Sequence, residues 1–432
     1  MSDAEVAPLT RVDGVVQVPG DKSISHRALI LGVLARGRSY IGNLSPAADV
    51  EATAEVLRQC GGAVRPFGDG RVSMDGAGPG AGLATPAGIL DCSNSGTTMR
   101  LIAGVLAGSE ISATLDGDGS LRRRPMERVA MPLRAMGADV VTTAGTPPLQ
   151  VTGARTPRGL EHRLEVASAQ VKSAILLAGL TADGRTTVVE PAPTRDHTER
   201  LLRGCGVDVV VEGTRVTLTP GALQPFGIRV PGDISSAAFL FALVAARPGW
   251  RIRCTGVGLN PGRTGILDVL EAMGADVVVE DAAVEPGTEP HGDVAVSGAP
   301  LRGVAIEAAL VPRCIDEIPA IAVLASQADG VTTIRGAAEL RVKESDRITE
   351  VVTGLRALGV AVEEFPDGLT IEGPCRLRAA RLDSGGDHRL AMAWAVAGSL
   401  VPAGGGDTVV AGADAVAVSY PGFFADLARL GG

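Results

Sequence analysis

One short pattern recurs along the chain and restricts the folds open to it. It reads LRQCGGAV from Leu57, LRAMGADV from Leu133, LRGCGVDV from Leu202, LEAMGADV from Leu270 and LRALGVAV from Leu355, and the chain ends on LARLGG from Leu427. Successive copies lie 76, 69, 68, 85 and 72 residues apart. Each reads as the last turn of a helix, a glycine that stops it, then a strand. Gly61, Gly137, Gly206, Gly274 and Gly359 are placed to take the left-handed φ that ends the helix. Six further stretches are apolar nearly all round: SHRALILGVLA, TTMRLIAGVLA, AQVKSAILLAGL, SSAAFLFALVAA, DEIPAIAVLAS and DHRLAMAWAVAG. A helix without a polar face belongs inside a core. The expected architecture is an α/β repeat fold of six units, each with one buried helix and one glycine-stopped helix followed by a strand.

The units fall into two sets of three. VPGDKSISHRALIL starts at Val18 and VPGDISSAAFLFAL at Val230, 212 residues apart in a chain of 432. That length exceeds one ordinary core. Pro-Gly punctuates both places. The expected domains are 21–230, and 1–20 together with 231–432, joined by short hinges near 19–21 and 229–232 rather than by a coil linker.

Composition narrows the chemistry. The net charge is −9 and aromatic residues are 3%, so a basic, base-stacking nucleic-acid surface is not expected. The cysteines at 60, 92, 205, 254, 314 and 375 are scattered, with no Cys-x-x-Cys pair and no histidine ligand spacing. They read as reduced, non-ligand thiols of a cytoplasmic protein, with no metal. MSDAEVAPLT has no basic or apolar stretch of a signal peptide, and no apolar run reaches the roughly 18 residues of a membrane span.

The polar residues gather at the starts of the apolar helices. The first has Lys22, Ser23, His26 and Arg27. The second follows Asn94, Ser95, Gly96 and Thr97 and carries Arg100. The third has Ser168, Gln170 and Lys172; the fifth has Asp316 and Glu317; the sixth has Asp387, His388 and Arg389. The fourth keeps Ser235 and Ser236, read as caps, and carries no cation of its own. Folding the unit therefore does not require Lys22 or Arg27. A helix N-terminus with free N–H groups suits an anion, and Gly96 lets a ligand approach the backbone. Taken singly, Ser23 and Ser168 read as N-caps, and Asp316 and Asp387 as caps or as site residues. Several cations at the heads of buried helices are costly unless they face a ligand. The segment GDGSLRRRPMERV adds Arg122, Arg123 and Arg124 just before Pro125, which reads as the first turn of a helix. PTRDHTERLL adds Arg195 and His197 beside Thr194 and Asp196, which read as caps. ELRVKESDRITEVV, with Lys343, Glu344, Asp346 and Arg347, reads on its own as a salt-bridged exposed helix. Walker, dinucleotide, serine-elbow and zinc-protease motifs are missing. What remains suits small multi-anionic substrates handled by acid–base chemistry without a cofactor.

Eight motifs in order carry a family resemblance: PGDKSISHRALIL, LDCSNSGTTMRL, DGDGSLRRRPM, SAQVKSAILLAGL, TRDHTERLL, IDEIPAIAVLA, LRVKESDRI and GDHRLAMA. The chain resembles the 5-enolpyruvylshikimate-3-phosphate synthase family over almost its whole length. The resemblance implies two domains of three β-α-β-α-β-β units each (an inverse α/β prism) and transfer of the enolpyruvyl group of phosphoenolpyruvate to the 5-hydroxyl of shikimate 3-phosphate. It implies that Lys22, Ser23, Arg27, Ser168, Ala169, Gln170, Arg195, Asp316 and Lys343 contact shikimate 3-phosphate. Lys22, Gly96, Arg124, Gln170, Arg347 and Arg389 would hold phosphoenolpyruvate. Asp316 would be the base, with Glu344 and Lys22 the alternatives for moving the proton at C3. Closure of the domains, inhibition by glyphosate, a monomer, and no cofactor are also implied. Three positions depart from other members: Val418 stands where some carry a lysine, Ser168-Ala169-Gln170 where others have two serines, and Glu339 where some have asparagine. The nearest alternative, the transferase acting on UDP-N-acetylglucosamine, uses a loop cysteine that DGDGSLRRRPM lacks. RNA 3′-phosphate cyclases share a related repeat but need a nucleotide site, and a non-catalytic repeat scaffold would have no use for Lys22, Asp316, Glu344 and Arg389.

Overall fold

The repeats are visible as six small sheets, each wrapped onto its own buried helix. The structure, a computed structural model, describes residues 2–68, 71–284 and 288–431. The second repeat shows the pattern. A short lead strand, Leu90–Asp91, runs into the apolar helix Gly96–Ala107 and then the strand Ser112–Asp116. These two strands pair in parallel, which requires a crossover, and the apolar helix is that crossover. The helix Glu127–Ala135 follows, then the antiparallel hairpin Asp139–Thr143 and Thr146–Thr152. The hairpin packs onto the strand after the crossover, so the lead strand lies at one edge and Asp139–Thr143 at the other.

The glycine stop operates as the sequence reading requires. Gly61, Gly137, Gly206, Gly274 and Gly359 all have φ between 80° and 106°. A strand starts within three residues of each, at Ala63, Asp139, Val209, Asp276 and Ala361. The apolar helices are buried as their composition demands. Every residue of Ile234–Ala245 and of His388–Ser399 is buried.

The chain divides into two compact units. One comprises residues 1–19, 231–283 and 290–432; the other comprises 20–230 together with the excursion 284–289. Each has its own continuous apolar core. Nothing in the sequence announces the excursion; its Glu289 lies 2.8 Å from His197 Nδ1, both buried. The lead strands at the two crossings are traded. Asp13–Val16, which precedes the Lys22–Leu34 helix, pairs instead with Arg251–Gly258 in the fourth repeat. Gly227–Arg229, which precedes the Ile234–Ala245 helix, pairs with Arg36–Gly42 in the first. The sixth sheet is completed by Ala4–Val6, antiparallel to Thr408–Ala411. Among the described residues no helix is long and apolar enough to cross a membrane.

Candidate active site

The unit built on 20–230 presents three buried helices by their N-termini. In the first, the cap is Asp21, whose carboxylate accepts from Ile24 N at 2.9 Å. Ser23 is therefore not the cap, and its side chain is available to a ligand. Four residues on, Arg27 is only 4% exposed. Its Nη1 donates to the Ser23 carbonyl at 2.8 Å, Nε to Thr198 Oγ1 at 2.7 Å and Nη2 to Ser173 Oγ at 2.9 Å. All three acceptors are neutral, and among the described residues Arg27 has no carboxylate within ion-pair distance. Burial pushes its pKa down to about 10, opposed by the more distant charges of Glu199 and Asp21, with Arg195 lowering it further. A buried guanidinium without a counter-ion is a receptor for an anion. Lys22, beside Ser23 in sequence, is held by Asp49 at 2.9 Å.

The second and third helices meet through polar side chains. Ser95 caps the Gly96–Ala107 helix, and Ser168 caps Ala169–Gly179. Ser168 thus acts as a cap, one of its two sequence readings. Gln170 donates to Thr97 Oγ1 at 2.8 Å and accepts from Arg100 at 2.7 Å. Arg124, buried, donates to Asn94 Oδ1 at 2.7 Å. A Cβ built on Gly96 lies 2.7 Å from Arg100 Nη1 and 3.1 Å from Arg124 Nη1, so the missing side chain is what lets two guanidinium groups lie over this helix start. The preceding arginines differ. Leu121–Arg123 is a short 3-10 turn ahead of the helix, which starts at Glu127, two residues past Pro125, and Arg122 is exposed and paired with Asp116. Lys172 does not join the anion cluster. It is buried between Glu190, at 2.8 Å, and Glu199, at 2.7 Å. Arg195 is half-buried in the loop before the helix His197–Gly204. Neither Thr194 nor Asp196 caps that helix with its side chain: Thr194 bonds Glu190, and Asp196 pairs with Arg200.

The other unit gathers carboxylates around one cation. Arg347 is 1% exposed, so the expectation of an exposed salt-bridged helix is overturned. Asp346 caps its helix, which starts at Arg347, while Lys343 and Glu344 precede it. Arg347 bonds both oxygens of Asp387, at 2.8 and 3.2 Å, Glu344 at 2.7 Å and Asp316 at 3.3 Å. Burial works to lower its pKa, but Asp387 and Glu344 carry it above the usual arginine value. Lys343 Nζ lies 3.7 Å from Asp316. Asp387 also caps the last buried helix, accepting from Arg389 N at 2.9 Å. The cluster therefore brings together Asp316, Lys343, Glu344 and Arg347, and places Arg389 on the helix that Asp387 caps.

The fourth helix corrects a sequence reading. Its cap is Asp233, not Ser235 or Ser236. Cations do reach it, from elsewhere in the chain. Arg263, buried, bonds Asp233 at 3.2 Å and also Ser235 Oγ, which bonds Glu317 in turn. Arg389 donates to the Ser235 carbonyl at 3.1 Å and lies 5.9 Å from the Phe239 ring centre. Each buried helix start thus attracts positive charge; the copies differ in which segment supplies it. Arg263 gave no sequence signal of this role, since 28 positions of chain separate it from Ser235.

A family model described as EPSP synthase (3-phosphoshikimate 1-carboxyvinyltransferase) matches residues 6–427. The chain belongs to the EPSP synthase family. Among EPSP synthase relatives, the 3-phosphoshikimate 1-carboxyvinyltransferase of Roseiflexus sp. (strain RS-1) is 48% identical over 98% of each chain. That of Geobacillus kaustophilus (strain HTA426) is 50% identical over 96% of this chain and 97% of its own. The solved EPSP synthase of Acinetobacter baumannii is 41% identical with a TM-score of 0.88, covering 100% of this chain and 98% of that one. The enolpyruvyl transferase NikO of Streptomyces tendae shares the fold at 20% identity, with a TM-score of 0.79 over 99% and 97% of the two chains. Of the three departures from other EPSP synthases, Val418 ends the 3-10 turn Ala413–Val418, half-buried, and Glu339 lies in the 3-10 turn Ala338–Val342. Ala169, the third, is the first residue of its helix, and its carbonyl accepts from Ser173 at 2.6 Å.

Proposed function

We propose that the chain transfers the enolpyruvyl group of phosphoenolpyruvate to the 5-hydroxyl of shikimate 3-phosphate and releases inorganic phosphate. The observation that carries this is the buried, carboxylate-free Arg27 among three helix N-termini. A phosphate group supplies the charge that Arg27 lacks, and its oxygens match the guanidinium fork. In this reading Lys22, Ser23, Arg27, Ser168, Ala169, Gln170 and Arg195 hold shikimate 3-phosphate, with Asp316 and Lys343 at its hydroxyls. Lys22, Gly96, Gln170, Arg124, Arg347 and Arg389 hold phosphoenolpyruvate.

The chemistry is addition followed by elimination. Asp316 takes the 5-hydroxyl proton as that oxygen bonds to C2 of phosphoenolpyruvate, and a proton is delivered to C3 by Glu344 or Lys22. The tetrahedral intermediate then loses a C3 proton and expels phosphate, restoring the double bond. Lys343 and Arg347 lie beside Asp316, at 3.7 and 3.3 Å. The comparisons fall on this reaction rather than on transfer to UDP-N-acetylglucosamine, and the arginine segment has no cysteine. The working form is a cytoplasmic monomer without cofactor. The test is phosphate release from the two substrates in the presence of a metal chelator. We expect turnover that needs both substrates; no release, or release from phosphoenolpyruvate alone, would refute the assignment.

A further inference from the structure

We infer that Thr198 and Ser173 are positioning residues that aim the Arg27 guanidinium at the phosphate of shikimate 3-phosphate. The inference rests on Arg27 being a ligand of that phosphate. The two hydroxyls form a chain whose proton order is fixed by its far end. Ser173 Oγ lies 2.6 Å from the Ala169 carbonyl, which can only accept, so the single Ser173 proton is committed there. In the 2.6 Å contact between Thr198 and Ser173, Thr198 is therefore the donor. That leaves Thr198 Oγ1 to accept from Arg27 Nε at 2.7 Å and Ser173 Oγ to accept from Nη2 at 2.9 Å. The sequence of donation runs Arg27 to Thr198 to Ser173 to Ala169.

Together with the Ser23 carbonyl on Nη1, this fixes the guanidinium plane at all three nitrogens. One N–H on Nη1 and one on Nη2 have no partner among the described residues, and these make a fork for two phosphate oxygens. Because every acceptor is neutral, the orientation is achieved without cancelling the charge that attracts the anion. The hydroxyls are held in turn by their chain neighbours. Lys172 precedes Ser173 and Glu199 follows Thr198, and these two form a buried ion pair at 2.7 Å. That pair locks the helix Ala169–Gly179 to the helix His197–Gly204.

Thr198→Val keeps the shape and removes both the acceptor for Nε and the donor to Ser173; Thr198→Ser restores them. Binding of shikimate 3-phosphate and of unphosphorylated shikimate would be measured calorimetrically on the full chain, with KM for phosphoenolpyruvate alongside. We expect Thr198→Val to weaken shikimate 3-phosphate about tenfold, roughly the worth of one charged hydrogen bond. Shikimate binding and the KM for phosphoenolpyruvate should hold within about twofold, and Thr198→Ser should behave as wild type. Ser173→Ala is the second arm, with a smaller loss of the same selectivity, and it decides the matter if the valine variant does not fold. Unchanged shikimate 3-phosphate binding in both variants, or equal weakening of both ligands, overturns the inference. Arg27→Ala separates the two levels. If it lowers shikimate 3-phosphate affinity while the hydroxyl variants do not, the positioning role fails and the phosphate reading stands; if it has no effect, the phosphate reading fails first.

Discussion

A methyl group at position 96 would intrude on two arginines at once. The added Cβ would sit 2.7 Å from Arg100 Nη1, so that guanidinium must move, and Arg124 at 3.1 Å must yield slightly. Gly96→Ala is therefore expected to raise KM for phosphoenolpyruvate on the order of tenfold, since small misplacements of charged groups are costly in an organised site. It should also weaken competing inhibition by glyphosate. Steady-state kinetics with and without glyphosate check this; unchanged values for both would remove Gly96 from the site. At this scale the sequence disclosed the cations but not their surroundings. Lys22, Arg27 and Arg389 stand out because they sit at the heads of apolar helices. Their partners do not, because Ser173 and Thr198 are 146 and 171 positions from Arg27 and look like any serine and threonine. Caps are hidden for the same kind of reason. Ser23 and Ser235 are good cap types, but an aspartate two residues earlier, Asp21 or Asp233, takes the role in each case.

Among the elements, a close backbone contact joins the second and third buried helices. A Cβ on Gly104 would lie 2.3 Å from the Ala174 carbonyl oxygen and 2.7 Å from its Cα. The two backbones touch, with no flexible side chain to give way. Gly104→Ala should destabilise the protein by about 1–3 kcal/mol, the usual cost of forcing a methyl into a packed core, read as a lower midpoint in urea. Because Gln170 links the starts of these same helices, KM for phosphoenolpyruvate should rise as well. The helices themselves were plain from their uniform apolarity and their glycine stops, which depend only on local sequence. Less local features were not. Ala338–Val342 forms a 3-10 turn ahead of its helix, where the residue pattern suggests continuous helix. Arg347 looks exposed because it stands among acidic neighbours at helical spacing. It is buried because Asp387 and Asp316 reach it from distant segments, and spacing cannot report that.

For the molecule as a whole, the traded lead strands decide which pieces can stand alone. Residues 20–230 carry a complete set of strands for their three sheets, including Gly227–Arg229. Residues 231–432 lack Asp13–Val16 and Ala4–Val6, and with them the buried Val6, Val12, Val16 and Val18. The fragment 20–230 is expected to unfold cooperatively by itself, whereas 231–432 should do so only when 1–19 is supplied, fused by a linker or added as a peptide. Denaturation followed by circular dichroism checks this, and a full cooperative transition for 231–432 alone would contradict it. The two Val-Pro-Gly-Asp copies lie where the chain passes from one unit to the other. The trade also sets a timetable for synthesis. Ala4 finds its place opposite Val410, and Val16 opposite Cys254. At about 5–20 residues per second, the first strand waits on the order of half a minute on the ribosome before its partner is made. Throughout that interval it is an unpaired edge, open to the wrong strand. Its own residues answer the hazard: Asp3, Glu5, Pro8, Arg11 and Asp13 put charge and a missing N–H along the segment, the devices that keep a lone strand from pairing early.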